Sequence, residues 1–171
     1  MSEYENMLAA DIIAEALIDW KVDTIFGLPG DGINGFMEAL RTRQDKIKFV
    51  FVRHAESAGE CVATSGQGAI HLLNGLYDAK ADNTPVIAIT GSTYSDMIGS
   101  CYQQDVNLLQ LFSDVAVYNN MIISPEQVEM VVDIACRSAL TKRGVSHLTI
   151  PIDMQEGKLE GKYSKHYLSF C

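Results

Sequence analysis

Positive charge is scarce in this sequence. Lys plus Arg number 13 against 22 Asp plus Glu, a formal net charge of −9. Nucleic acids and anionic membrane surfaces are gripped through basic footprints, so neither is an expected partner. The acidic residues are spread along the chain, which reads as solubility. Cysteine is sparse as well: Cys61, Cys101, Cys136 and Cys171 form no CxxC and show no metal-ligand spacing with the four histidines. Two of them lie inside apolar runs, as reduced thiols of a cytosolic protein do. No apolar run approaches a membrane span. The acidic stretch Met1–Asn6 is followed by no signal-peptide core, and the expected location is cytoplasmic. Repeats and low-complexity tracts are missing too. What is present is apolar: 47% of the 171 residues, enough for a sizeable core in one domain.

Periodicity divides the chain into alternating helices and strands. Residues 7–20 place Leu8, Ile12, Ile13, Ala16, Leu17 and Trp20 at helical spacing. Thr24–Phe26 reads as a short strand entering a Gly/Pro turn, and Asp31 stands ready to cap a helix carrying Ile33, Phe36, Met37 and Leu40. Strands are expected at Lys48–Arg53 and Cys61–Thr64, followed by a helix to about Lys80. PVIAIT (Pro85–Thr90) has the continuous apolar character of a strand buried on both faces. A short helix at Leu108–Phe112, a strand at Val115–Tyr118, a helix from Pro125 to about Leu140 and a strand at His147–Ile152 complete the pattern. Such alternation predicts a three-layer α/β fold, a mainly parallel sheet with helices on both faces. The domain is expected over residues 1–154, with 155–171 as a loosely held tail.

The connection between the second and third strands is short. Only AESAGE separates FVRH from CVATSG. Parallel neighbours need a crossover of about a dozen residues or more. Seven residues reach at most about 25 Å, against a strand length of about 17–20 Å. One crossover helix is therefore missing. Either the return is a taut strap that bares one sheet face, or the local strand order differs.

Two glycine-rich loops, GLPGDG (Gly27–Gly32) and TSGQG (Thr64–Gly68), follow strand C-terminal ends, where open α/β sheets bind ligands. Each precedes a helix N-terminus, a setting that suits an anion. Tight turns need glycine in any case, and neither loop is a G-x-G-x-x-G or a Walker sequence.

Taken together, DTIFGLPGDGINGFMEAL, FVRHAESAG, CVATSGQGAIHLLNGLYDAKADNTPVIAITG and YQQDVNLLQLFSDVA resemble the N-terminal pyrimidine-binding domain of thiamine-diphosphate enzymes of the pyruvate oxidase and acetolactate synthase type. The likeness runs from about Ala9 to Gln155. It implies a site for the aminopyrimidine half of thiamine diphosphate, with Pro29, Gly30, Glu56, Thr64, Gly66, Gly68 and Gln104 as the cofactor-binding residues. It also implies a dimer, with the diphosphate and its magnesium held by a second domain. The GDG at Gly30–Gly32 lacks the later asparagine of the family's magnesium motif, so no metal site is expected on this chain, and magnesium enters only through a partner domain.

The departures bear on chemistry. The family uses a glutamate directly after the histidine of RHEE to hydrogen-bond the pyrimidine ring, in a dry cleft that raises its pKa. Ala55 stands there, and alanine carries no proton. Glu56 is the candidate catalytic carboxylate that remains, with Glu60 a more distant one, although one step along a strand end points to the opposite face. Gln67 replaces the proline of TSGPG. His54 and His71 read as structural. The expectation is a truncated domain descended from a 2-oxo acid decarboxylase, oxidase or carboligase, without activity alone and with weak or partner-dependent cofactor binding. The alternatives are one subunit of a split decarboxylase, paired as a homodimer or with a diphosphate-binding chain, and a non-catalytic module that pairs with a full-length relative.

Overall fold

A computed structural model describes residues 6–52 and 60–159. In chain order the elements are α1 (Ala9–Asp19), β1 (Thr24–Leu28), α2 (Asn34–Arg41), β2 (Lys48–Phe51), β3 (Glu60–Ala63), α3 (Gln67–Ala81), β4 (Val86–Ser92), α4 (Leu108–Leu111), β5 (Ala116–Met121), α5 (Val128–Lys142), β6 (Val145–Pro151) and α6 (Ile152–Gln155). All six strands are parallel, in the order β2-β1-β3-β4-β6-β5.

Strand alternation builds two cores. Ile25, Val62, Ile87, Ile89, Leu148 and Ile150 point to one face, where α1, α2 and α5 cover them with Ile12, Leu17, Phe36 and Val132. Cys61, Ala63, Val86, Ala88 and Val145 point to the other, under Leu72 and Leu76 of α3, Leu108 of α4 and Phe112. β4 and β6 are buried at every position, which is why their sequences read as apolar runs rather than as alternation. This is the three-layer α/β fold expected from the sequence. Among the described residues no helix is long and apolar enough to cross a membrane.

The strand register resolves the short connection. β2 and β3 are not neighbours; both pair with β1, one on each side. Phe51 lies opposite Gly27 and Glu60 opposite Ile25. The two ends are thus two residues apart along the sheet and two strand spacings across it, about 12 Å. The chain between them can extend to about 30 Å. The expectation of a taut strap is corrected, because four-residue strands leave far less height to climb than a full-length strand would. Residues 53–59 themselves lie outside the described residues.

Past β6 the chain stays packed on the domain. Gln155 is buried, as is Leu159, and Lys158 forms an antiparallel bridge with Leu8. The Ala9 amide donates to the Gly157 carbonyl at 2.8 Å, and the Leu159 amide to that of Met7 at 3.1 Å. The first of these bonds satisfies one of the free N–H groups at the start of α1, which has no side-chain cap.

One buried polar network locks β4 and β5 to the central β6. The His147 ring stacks on Phe112 with centroids 3.8 Å apart. Its Nδ1 lies 2.8 Å from Asn119 Oδ1 and its Nε2 lies 2.8 Å from Thr90 Oγ1. The Asn119 amide nitrogen donates to the Leu109 carbonyl, so its oxygen faces the ring. That assigns the proton to Nδ1 and makes Nε2 the acceptor of the Thr90 hydroxyl. Burial pulls the imidazole from its ordinary 6.5 down to about 3. The unfolded chain therefore takes up a proton below about pH 6.5 that the native protein refuses until about pH 3. The contribution is complete above 6.5 and is lost as the pH falls through this window. Urea unfolding at pH 6.5 and pH 4.5 is expected to show a loss of about 2–3 kcal/mol from this group, and His147→Gln is expected to remove that part of the slope.

Candidate functional site

The chain leaves β1 towards one edge of the sheet and leaves β3 towards the other. This switch point, at the C-terminal strand ends, is where open α/β sheets form their crevice. A cleft of about 380 Å³ lies there, lined by residues that include Asp31, Gly32, Ser65, Tyr102, Gln104 and Glu156. A larger groove of about 850 Å³ runs between α2 and the edge strand β2. Of its charged residues Glu38, Arg41 and Lys48, the first two are bonded to each other at 2.7 Å, and the groove lies off the switch point, so the smaller cleft is the candidate.

Three loops make the cleft. The first follows β1, and the Gly32 carbonyl in it presses onto β4 at Gly91. A Cβ on Gly91 would stand 2.0 Å from that oxygen, a distance no side chain tolerates. The second follows β3. Thr64 Oγ1 accepts the Gly32 amide at 3.0 Å, which joins the first loop to the second. Ser65 donates to Gln104 Oε1 at 2.6 Å, which joins the second to the third. Gly66 has φ +60, and a Cβ there would meet the Gln104 Cβ at 2.8 Å, so both conformation and space call for glycine.

The third loop, from β4 to α4, departs most from ordinary backbone. Cys101 and Gln104 both have positive φ, 60 and 62. Asp105 holds the turn by accepting the amides of Gly99 at 2.9 Å and Cys101 at 3.2 Å. Strained non-glycine positions of this kind gather at functional sites. Beside them, the Thr93 hydroxyl is buried with no hydrogen-bond partner among the described residues.

The structure brings together most of the residues singled out from the sequence. Gln104 lines the cleft. Thr64 is wedged between Gly30 and Gly68, and Gly66 backs Gln104. Pro29 is exposed at the start of the first loop. Ala55, Glu56 and His54 lie outside the described residues. His71 is exposed on α3. Glu60 opens β3 and so stands at the opposite end of the sheet, near Trp20 and Pro85. The possibility that the shortened connection turns Glu60 towards the cleft is therefore corrected. The sequence reading missed Ser65, Thr93, Asp153 and Gln155. Position just past a buried strand was the available signal, since PIDMQ directly follows the last one.

Electrostatics separate the cleft from the rest. Its lining includes the carboxylates of Asp31 and Glu156 and no Lys or Arg. Among the described residues no cluster of three His, Cys, Asp or Glu could hold a metal. Burial pushes the thiols of Cys61 and Cys136 up to about 12, which leaves both inert as nucleophiles.

The comparisons with known proteins agree with this arrangement. Residues 7–111 match the family described as "Thiamine pyrophosphate enzyme, N-terminal TPP binding domain". The chain belongs to this family. It is 40% identical over 166 residues to the Bacillus subtilis protein YdaP, assigned by name to the thiamine pyrophosphate-containing proteins; the match covers 89% of this chain and 29% of that one. It is 34% identical over 163 residues to pyruvate oxidase of Lactiplantibacillus plantarum, covering 87% of this chain and 27% of the oxidase. Against the acetolactate synthase large subunit of Corynebacterium glutamicum the identity is 30% over 171 residues, with 91% and 27% covered. This thiamine pyrophosphate domain thus spans under a third of the length of these relatives.

Glu60 supplies a direct test of which end of the sheet carries function. Burial raises its carboxyl above the usual 4.5, with the nearby Asp23 charge adding to the effect. The native state then holds a proton that the unfolded chain gives up. Stability from this group is present while it stays protonated and is lost as the pH rises through the raised value. Glu60→Gln is expected to raise the unfolding midpoint more at pH 7.5 than at pH 4.5, and to leave any ligand bound in the cleft unaffected. By contrast Gly91→Ala is expected to cost about 1–3 kcal/mol at both pH values, measured by denaturant unfolding.

Proposed function

We propose that this chain provides the pyrimidine side of a thiamine-diphosphate site, and that a second domain must supply the diphosphate side. The carrying observation is the charge of the cleft. Its lining offers amides, hydroxyls and two carboxylates but no cation. A neutral aminopyrimidine, with ring nitrogens and an amino group, suits such a lining. The unpartnered Thr93 hydroxyl and the Gln104 side chain are available to it. A diphosphate does not suit it, because nothing there offsets its charge. The residues present therefore fit one half of the cofactor and not the other.

When bound, thiamine diphosphate supplies a thiazolium carbon acid for chemistry next to a carbonyl group. The role of this chain is to position and to exclude water. Ser65 orients Gln104, and Thr64, Gly30, Gly66 and Gly68 shape the wall behind them. With alanine at 55, the carboxyl left for the pyrimidine nitrogen is that of Glu56. The chain by itself is read as inactive. Its descent is from enzymes acting on 2-oxo acids, a reading supported by its similarity to pyruvate oxidase and acetolactate synthase, and magnesium is held with the diphosphate by the partner. The partner is a second copy or a diphosphate-binding chain.

A second reading has one observation in its favour. Tyr94, Met97, Ile98 and Tyr102 are exposed along the third loop, an apolar rim suited to another protein. On this reading the chain pairs with a full-length relative and needs no cofactor to do so.

Thermal unfolding separates the two. Thiamine diphosphate at tenfold its dissociation constant is expected to raise the midpoint by about 3–6 °C. Thiamine alone should give most of the same rise, and inorganic pyrophosphate with magnesium none. A rise with pyrophosphate alone would overturn the half-site reading. No rise with either thiamine compound would leave the pairing module.

A further inference from the structure

α6 is only four residues long, yet its side chains reach two of the three cleft loops. Gln155 is 1% exposed and uses both ends of its amide. Its Oε1 accepts the Phe36 amide at 3.1 Å and its Nε2 donates to the Gly32 carbonyl at 2.8 Å. That carbonyl is the one seated on Gly91. The first loop is thus held between β4 and a single buried side chain. A primary amide carries a donor and an acceptor side by side on one planar group, so it can serve a carbonyl and an N–H at once. Two residues earlier, the Asp153 carboxylate accepts the Ser95 amide at 2.9 Å and the Ser95 hydroxyl as well. Ser95 lies near the start of the third loop, which carries Gln104.

We propose that Asp153 and Gln155 are positioning residues which together set the width of the cleft. Loops separated by more than sixty residues of sequence, at Gly32 and at Ser95, are referred to one rigid element. That element is rigid because it continues directly from β6, a strand buried at every position. Ile152 and Glu156, on either side of the pair, line the same cleft. The identity of the ligand rests on the half-site reading above; the clasp itself does not.

Amide hydrogen exchange on the whole chain tests it. In Gln155→Ala the Phe36 amide is expected to exchange at least about tenfold faster, and in Asp153→Ala the Ser95 amide likewise, the loss of one buried or charge-assisted hydrogen bond in each case. Amides of β4 and β6 should keep their rates. Asp153→Asn, which retains an acceptor, should restore the Ser95 rate, whereas Gln155→Glu, which keeps the acceptor for Phe36 but loses the donor to the Gly32 carbonyl, should keep the Phe36 rate and speed exchange of the Gly32 amide. Uniform acceleration across the sheet would reduce the pair to general stabilisers and overturn the proposal, as would unchanged rates at Phe36 and Ser95. Titration calorimetry with thiamine diphosphate, well below the unfolding midpoint, is expected to show affinity falling about tenfold in each alanine variant and retained in Asp153→Asn. If the parent chain binds no thiamine diphosphate, the half-site reading fails while the exchange rates still decide the clasp.

Discussion

The contact between the Gly32 carbonyl and Gly91 is the constraint on which the rest of the cleft depends. It sets the height of the first loop above the sheet with no side chain between. The Thr64 and Gln155 hydrogen bonds both converge on Gly32, one on its amide and one on its oxygen. Neither partner could reach if the loop stood a methyl group higher. The contact is possible because β4 is central and fully buried, so Gly91, its penultimate residue, is a fixed platform. Packing on two faces thus precedes the site, and the site is what remains where the packing ends.

Two ionisable groups within this packing act in opposite directions. His147 is neutral, fully bonded and central, so its burial is matched by hydrogen bonds on both ring nitrogens. Glu60 sits in the apolar surroundings of Trp20, Pro85 and Ile87, with no cation among the described residues that line them. It sits at the first residue of β3, where the short connection delivers the chain. A carboxylate there serves neither core nor cleft. It marks the cost of a connection that returns directly into a buried strand.

Much of the fold was legible in the sequence, because β4, β6 and the amphipathic α1 and α5 each carry an unambiguous apolar pattern. The glycine loops were legible as well, since tight turns past strand ends advertise themselves. Strand order was not. Nothing in FVRH or CVATSG states that β1 lies between them, because pairing partners are chosen by long-range packing. The roles of Asp153 and Gln155 were hidden for a related reason. A polar residue after a strand looks like the beginning of a tail until the loops that it holds are seen. His147 was equally silent, its partners Thr90 and Asn119 lying 57 and 28 residues away.

The bridge between Leu8 and Lys158 lies immediately beyond the clasp. The two backbone hydrogen bonds that make it, Ala9 to Gly157 and Leu159 to Met7, fasten the chain to the start of α1 within four residues of Gln155. This is strain relief in the engineer's sense. A pull or rotation of the chain beyond residue 159 is taken up by α1, the helix seated on the larger core, before it reaches Gln155. These bonds therefore stand between Gln155 and the chain that follows residue 159.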